Sequence, residues 1–148
     1  MSACTFFGHR DCCELDADVL KGAIEALIRN GVDTFYVGNQ GQFDAMVFRA
    51  LLALKKTYPH ISVSVVLAYL PVKKEETEPY QDYSIYPEGL ETGPKRFAIQ
   101  RRNLWMIESA AGGYCLCYIH HTWGGACKFA RRAKSRGLVL VNLGTAKL

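Results

Sequence analysis

The sequence predicts a three-layer α/β fold, in which a mostly parallel sheet is covered by helices on both faces. Apolar runs that are typical of strands alternate along the chain with segments whose apolar residues recur at helical spacing. Strands and helices in series favour parallel strands that are joined by right-handed helical crossovers. The run 62–68 is rich in valine and continuous enough for a strand that is buried on both faces. With 148 residues, we expect a single domain that spans residues 1–148.

The first predicted strand is Ala3–Phe7, and it leads to the first predicted helix. Asp16 is suited to cap the N-terminus of this helix, and Gly31 is placed to end it. Between them, one apolar stripe at helical spacing is formed by Leu20, Ile24, Leu27 and Ile28.

A second strand is predicted at Thr34–Val37 and a third at Ser62–Ala68. The helix between them closes before Pro59, and its apolar stripe consists of Phe43, Val47, Leu51 and Leu54.

Residues 71–93 interrupt this alternation. They are polar and rich in proline, and they contain a short aromatic run, Tyr83–Tyr86, so we expect an excursion with a brief strand. The excursion could serve as a lid or as a dimer contact, and nothing in the sequence decides between the two. Pro94 suits the first position of a helix over residues 95–110.

The C-terminal third of the chain returns to alternation. We expect a strand at Tyr114–Ile119, a loop at His120–Gly125, a basic helix at Ala126–Arg136 that Gly137 ends, and a last strand at Leu138–Asn142.

Three loops with glycines and polar side chains should meet at one edge of the sheet. They cover residues 8–11, 38–44 and 120–126, and ligands of open parallel sheets bind beyond the carboxyl ends of the strands. Glycine allows the backbone N–H groups to approach a ligand, and a helix N-terminus favours an anion. The predicted ligand-binding residues in these loops are Gly8, His9, Arg10, Gly38, Asn39, Gly41, Asp44, Trp123, Gly124 and Gly125. Arg102, on the helix 95–110, completes the set.

These residue types suit a phosphate-bearing ligand with a sugar and a base. Arg10 is a natural counter-charge for a phosphate, and Gly124-Gly125 at a helix start resembles a phosphate cradle. Asp44 would accept hydrogen bonds from a ribose or, equally, favour the dipole of its own helix. Trp123 could stack on a base. Arg101 and Arg102 project about 100° apart on a helix, so at most one of them should face the site.

Net charge and apolar content limit the classes of partner that the sequence predicts. The formal net charge of +4 fits an anionic small ligand, and the lack of a basic run longer than a pair argues against a nucleic-acid stripe. No apolar run approaches the roughly 20 residues of a membrane helix, and the N-terminus lacks the features of a secretory signal, so we expect a cytoplasmic protein without membrane contact. The sequence leaves homo-oligomerisation open.

The cysteines do not form a recognisable metal motif. None of the six occurs in a CxxC pair, and we interpret them as reduced thiols. A zinc site is an alternative, although its ligand spacing fits no known short motif; its ligands would come from His9, Cys12, Cys13, His120, His121 and Cys127. Cys127 at a helix N-terminus is an alternative nucleophile. We expect neither a metal nor a required cofactor.

Five segments resemble the SLOG superfamily, and most closely its DUF1273-like branch of small bacterial proteins. They are FFGHRDC, FYVGNQGQFDAMV, VVLAYLP, RFAIQRRNLWMIESA and WGGACKFARRAKSRGLVLVNL, and they occur in order over nearly the whole chain. The superfamily is related to the LOG-type nucleotide phosphoribohydrolases and to the Rossmann-like domain of the DNA-processing protein DprA. The resemblance implies a modified Rossmann-like fold and a nucleotide-like ligand, and some SLOG domains sense NAD-derived nucleotides in bacterial defence.

The resemblance transfers some functional positions and not others. The family's Gly-His-Arg element corresponds to residues 8–10, its glycine-and-acid loop to Gly38, Gly41 and Asp44, and the arginine four residues before a methionine to Arg102. In the LOG enzymes, a Pro-Gly-Gly-x-Gly-Thr element is followed by glutamates, one of them catalytic. Here Gly124 and Gly125 match the glycine pair. The remaining positions differ, and they are occupied by Trp123, Cys127, Lys128, Ala130 and Arg131.

The missing carboxylate decides between the functions that the resemblance allows. Hydrolysis of a glycosidic bond usually needs a carboxylate, so we favour a non-catalytic nucleotide binder, a sensor or a sequestering module. The first alternative is an enzyme that releases a base from a nucleoside monophosphate, with Arg102, Asp44 and His9 in the catalytic roles. The second is a subunit that contacts DNA or protein through the basic helix 128–136, which is otherwise a solvated helix face.

Overall fold

The computed structural model describes residues 2–12, 14–70 and 78–148, and within these ranges six strands form one sheet. The strands are β1 (Ser2–Gly8), β2 (Val32–Val37), β3 (Ser62–Val66), β4 (Ser84–Ile85), β5 (Tyr114–Tyr118) and β6 (Val139–Asn142). Every strand pairing is parallel, and the strand order is β4-β3-β2-β1-β5-β6. The predicted parallel α/β fold is therefore confirmed.

Four α-helices connect the strands of the described ranges. They are α1 (Ala17–Arg29), α2 (Gly41–Thr57), α3 (Ala98–Ser109) and α4 (Gly125–Ser135). Short 3₁₀ helices cover Glu78–Tyr83 and Lys95–Phe97. None of the described helices has the length and apolar character that crossing a membrane requires.

The two faces of the sheet carry separate hydrophobic clusters. Helices α1 and α2 pack on one face, where Leu20, Ile24 and Leu51 are fully buried. Helices α3 and α4 pack on the other face, where Met106 and Ala130 are buried. Successive residues of the central strand β1 serve opposite clusters, since Phe6 belongs to the first and Phe7 to the second. Because of this alternation, β1 contributes side chains to both hydrophobic clusters and lies at the centre of the three layers.

Local sequence features produce the expected helix ends. Oδ1 of Asp16 accepts hydrogen bonds from the backbone N–H groups of Asp18 (2.7 Å) and Val19 (3.3 Å), which caps α1. Gly31 follows the helix with a φ of +97°, a conformation that glycine adopts at little cost. Both predicted boundaries of α1 are confirmed.

The start of α3 differs from the prediction. Pro94 is not the first residue of a helix, because its ψ of 135° is extended, and a 3₁₀ turn precedes the α-helix. The carbonyl of Pro94 accepts hydrogen bonds from the backbone N–H of Phe97 (3.1 Å) and from Nη1 of Arg101 (2.8 Å). These contacts fix Pro94 outside the helix and hold the turn against it.

The excursion contains the expected brief strand. β4 covers Ser84–Ile85 and pairs with β3, and Tyr86 packs against the first hydrophobic cluster. Residues 71–77 of the excursion lie outside the described residues, so its role as a lid or as a dimer contact stays a prediction.

The order in which strands are added to the sheet reverses at β1. From β1 it proceeds through β2 and β3 to β4, and it then returns to the other side of β1 with β5 and β6. The connections that leave β1 and β5 go to opposite faces of the sheet, because α1 packs on one face and α4 on the other. The crevice between the carboxyl ends of β1 and β5 is therefore the topological switch point, where α/β folds bind ligands.

Candidate functional site

A cavity of about 270 Å³ lies at this switch point. Its walls come from the end of β1 and the loop after it, the loop between β2 and α2, the first turn of α2, helix α3 and the start of α4. The residues that line it are Phe6, Phe7, Gly8, His9, Arg10, Gln40, Asp44, Ile99, Arg102, Asn103, Met106, Gly125, Ala126 and Phe129. The structure thus brings the predicted Gly8, His9, Arg10, Asp44, Arg102 and Gly125 around one cavity.

Arg102 is a buried cation in the cavity wall, with only 2% of its surface exposed. Its Nε donates to Oδ1 of Asn103 (2.7 Å), and its Nη1 donates to the carbonyl of Val66 (3.0 Å) and to Oδ1 of Asn39 (3.4 Å). Nη2 has no hydrogen bond within the described part of the chain. Since no fully buried polar side-chain atom there lacks a partner, Nη2 keeps some accessible surface, and Arg102 is a residue of the cavity lining.

The charge of Arg102 is held in an unfavourable environment. Burial lowers the pKa of this guanidinium, and the nearby Asp44 and Tyr69 oppose that effect. A cation that has lost most of its water and keeps free donor capacity on one nitrogen is well suited to pair with an anion.

Asp44 is the acidic group of the cavity. Its Oδ2 accepts the backbone N–H of Gln40 (2.9 Å), and no described group donates to its Oδ1, which is open to the cavity. Burial raises the pKa of this carboxyl from 3.8 to about 6, although the Gln40 N–H and the charges of Arg102 and Arg10 act in the opposite direction. Asp44 therefore exchanges its proton close to neutral pH.

The glycines of the first two loops make room for neighbouring side chains. A Cβ on Gly38 would lie 2.8 Å from Nη1 of Arg102 and 2.8 Å from Oδ2 of Asp44. A Cβ on Gly8 would lie 2.4 Å from the ring of Phe43. Gly38 thus lets the cation and the acid of the cavity pass close to the backbone, which explains glycine at this position without direct contact with a ligand.

The backbone conformation and a close neighbour explain why residue 41 is a glycine. Its φ is +89°, and a Cβ there would lie 3.0 Å from Cγ of Arg10. The neighbouring Gln42 donates its backbone N–H to the carbonyl of Arg10 (3.1 Å), so the second loop is tied to the first. Gly38, Asn39 and Gly41 are not part of the cavity lining; they support residues that are.

The N-terminus of α4 reaches the cavity without a side-chain cap. Gly124 precedes the helix with a φ of +94°, and no side chain bonds to the first turn. The first intrahelical bond is made by the N–H of Lys128, so the N–H groups of residues 125–127 have no acceptor within the helix. Gly125 and Ala126 line the same cavity as Arg102. Free N–H groups, the positive end of the helix dipole and a buried guanidinium are features that favour an anion.

The third loop carries a stack of three aromatic rings. The ring of His9 stacks on that of His121 (centroids 3.9 Å apart, 17° between planes), and His121 stacks on Trp123 (3.9 Å, 16°). The backbone N–H of His120 donates to Nε2 of His9 at 3.0 Å. Burial lowers the pKa of His9, and the neighbouring His121 and His120 lower it further. The stack joins the first loop to the third, while Trp123 itself lies outside the cavity.

The sequence did not predict several residues of this site. Gln40, Asn103 and Phe129 line the cavity, and His121 is the central ring of the stack.

The paired arginines of α3 separate as their spacing predicts. Arg102 faces the cavity, whereas Arg101 bonds through Nε to the carbonyl of Leu90 (2.8 Å) and through Nη1 to that of Pro94. Arg101 therefore anchors the excursion to α3 and does not serve the site.

The basic face of α4 is partly neutralised within the molecule. Arg136 forms an ion pair with Glu108 at 2.7 Å, and Lys134 donates to the carbonyl of Leu148. The ion pair also places Glu108 on the surface, away from the cavity lining.

The described cysteines are buried and form no disulfide; they are Cys4, Cys12, Cys115, Cys117 and Cys127. Cys13 lies outside the described residues. Within those residues no group of three or more histidine, cysteine or acidic side chains is arranged to hold a metal ion.

Comparison with known proteins supports the fold. No protein-family model matches the chain, and no curated protein matches it with significant similarity. Among solved structures, it is similar to the X-ray structure of DNA processing protein A (DprA) from Streptococcus pneumoniae, with a TM-score of 0.56 and 16% sequence identity. The match covers 95% of this chain and 58% of the DprA chain. The predicted Rossmann-like, DprA-like fold is therefore confirmed, and at this identity the likeness concerns the fold alone.

Proposed function

We propose that this protein binds a nucleotide or an NAD-derived nucleotide at the carboxyl edge of its sheet, as a sensor or a sequestering module. The observation that carries the proposal is that the uncapped N-terminus of α4 and the buried Arg102 line the same cavity. Phosphate is the anion that best suits this combination, because it accepts several hydrogen bonds at once from backbone N–H groups and a guanidinium. Arg10 supplies a second, exposed cation among the residues that line the cavity.

The remainder of the cavity suits the uncharged part of a nucleotide. Phe7, Ile99, Met106 and Phe129 contribute apolar wall, and Oδ1 of Asp44 is available to accept a bond from a sugar hydroxyl. The volume of about 270 Å³ is close to the lower end of the range of about 300–1,000 Å³ that is common for small-molecule sites. The phosphate and sugar of one nucleotide would occupy the cavity, and its base would extend beyond it.

Membership of the SLOG superfamily, in its DUF1273-like branch, is part of the same proposal. Its support is the ordered set of five sequence segments together with the DprA-like fold. The positions at which the LOG enzymes carry glutamates hold Ala130, which is buried, and Arg131. This departure favours binding over catalysis.

The test is a ligand screen with matched variants. Small molecules that heat releases from the purified protein would be identified by mass spectrometry, and a thermal-shift panel would include AMP, ADP, ADP-ribose and NAD. Arg102→Met should weaken binding of the best ligand roughly 10- to 100-fold, as expected for the loss of a charged hydrogen bond. Arg101→Met is the matched control, since its side chain bonds only outside the cavity.

Arg102→Lys separates binding from folding. It keeps a cation at the cavity wall, so it should retain the fold and part of the affinity. A folded Arg102→Met protein with unchanged affinity would refute the anion site. If no compound of the panel raises the melting temperature and none is released by heat, the proposal fails.

A second candidate function is supported by Asp44. Its carboxyl, with a pKa of about 6, faces the cavity and is in the range that general acid–base catalysis requires. In a phosphoribohydrolase reaction, water would add to C1′ of the ribose, the bond from C1′ to the base would break, and the base would leave with a proton. Incubation with nucleoside monophosphates and chromatography of the products would detect free base and ribose 5-phosphate. Asp44→Asn should abolish this turnover and keep binding; if the natural protein yields no free base, the enzyme reading is wrong.

A further inference from the structure

Trp123 presents an aromatic ring to solvent. With 70% of its surface exposed, it is the most exposed large hydrophobic side chain in the described part of the chain. Single exposed apolar side chains are common on protein surfaces, so the surroundings of this ring decide whether it has a function.

The ring is held in place by its neighbours. One face of Trp123 stacks on His121, and Nδ1 of His121 lies 3.0 Å from the carbonyl oxygen of Trp123. The other face of His121 stacks on His9, whose Nε2 accepts the N–H of His120. His9 is also a residue of the cavity wall. The indole is therefore the outer member of a stack that is anchored at the cavity, and no other aromatic ring of the described residues packs on it.

The position of the ring relates it to the anion site. Trp123 precedes Gly125, the first residue of α4, by two residues, which span at most about 7 Å of chain. A ligand whose phosphate occupies the start of α4 would thus have Trp123 within reach of its base.

We infer that the ligand carries an aromatic base and that this base stacks on the outer face of Trp123. This inference rests on the proposed function, and it specifies where the base of the nucleotide binds. Stacking on an aromatic side chain tolerates any base, because each base has a π-face, and it strengthens with ring area. Affinity should therefore decrease from purine to pyrimidine nucleotides and be lowest for a sugar phosphate without a base.

The experiment measures the fluorescence of Trp123 during ligand titration. The chain has two tryptophans, and Trp105 packs edge-on against Tyr36 (5.4 Å between centroids), so Trp105→Phe leaves Trp123 as the only tryptophan emitter. This variant would be titrated with AMP, UMP and ribose 5-phosphate. We expect AMP to bind most tightly and to quench the emission, and ribose 5-phosphate to bind without quenching.

A second variant tests the contribution to affinity, measured by calorimetry. Trp123→Ala should weaken AMP binding roughly 10- to 100-fold and leave ribose 5-phosphate binding unchanged, while Trp123→Phe should retain most of the AMP affinity. Unchanged AMP affinity in Trp123→Ala would overturn the stacking inference and leave the proposed function standing. An equal loss for AMP and ribose 5-phosphate would also overturn it, because Trp123 would then only shape the loop. If neither compound binds the natural protein, the anion site fails and the inference fails with it.

Discussion

Asp44 is a carboxyl whose ionisation opposes folding at neutral pH, and its replacement by asparagine tests this directly. Burial raises its pKa from 3.8 to about 6. A carboxyl with a raised pKa in the folded state contributes stability that is fully present below about pH 3.8 and is lost as the pH rises through about 6. Asparagine has the shape of the protonated carboxyl and keeps an oxygen that can accept the backbone N–H of Gln40.

The magnitude follows from the size of the pKa shift. A shift from 3.8 to about 6 corresponds to a loss of about 3 kcal/mol once the carboxyl is fully ionised at pH 7.5, and to about 1 kcal/mol at pH 4.5. The stability of Asp44→Asn relative to the natural protein should therefore increase by about 2 kcal/mol between pH 4.5 and pH 7.5. Water in the cavity screens the carboxylate, so this value is an upper one.

Urea unfolding of both proteins at the two pH values measures the change. Asp18→Asn, in the exposed first turn of α1, is the matched control, since loss of an exposed carboxyl should not reproduce an effect of this size. If Asp44→Asn loses stability relative to the natural protein as the pH rises, Arg102 holds the carboxylate in its ionised form, and the argument from burial is wrong.

Three further perturbations have defined outcomes. Asp16→Ala removes the N-cap of α1 and should cost about 1 kcal/mol in urea unfolding, and an unchanged midpoint would contradict the cap. Gly22 lies on the exposed side of α1 with open space around it, so Gly22→Ala should stabilise the protein by about 0.5–1 kcal/mol. Gly113→Ala would instead press a Cβ against the carbonyl oxygen of Ala3 in β1 and should destabilise the protein by at least about 2 kcal/mol. Protonation of His9 removes the acceptor at Nε2, to which the backbone N–H of His120 donates. Because the pKa of His9 is lowered, this contact between the two loops is stable above pH 6.5 and is lost as the pH falls further. The emission of Trp123 in the Trp105→Phe background should therefore change on acidification, and a constant emission would refute this.

Short-range patterns predicted most of the fold. The stripe and caps of α1, the apolar run of β3 and the brief strand near residue 85 were all readable, because helix periodicity and capping depend on residues within about one turn of each other. Pro94 shows the limit of such rules. Its ring suits a first helical position, but its backbone is extended, and the side chain of Arg101 on the following helix donates to its carbonyl.

The expectation that ligands bind at the carboxyl edge of a parallel sheet predicted part of the site. Once parallel strands were inferred, the loops after β1, β2 and β5 had to meet, and six of the predicted residues line the cavity. Gln40 and Phe129 were not predicted, because a loop or helix pattern does not reveal which side chain faces a cavity that other elements enclose. The reason for glycine at position 38 was equally hidden, since it lies in the approach of Arg102 and Asp44 from elsewhere in the chain.

The sequence by itself determined the order and type of the elements and the edge at which a ligand would bind, because those follow from local periodicity and from the geometry of parallel sheets. The tertiary structure alone decided how the loops join. It placed the N–H of His120 on Nε2 of His9, 111 residues away. Contacts between residues so distant along the chain arise only when β1 and β5 lie side by side, so no local pattern could encode them.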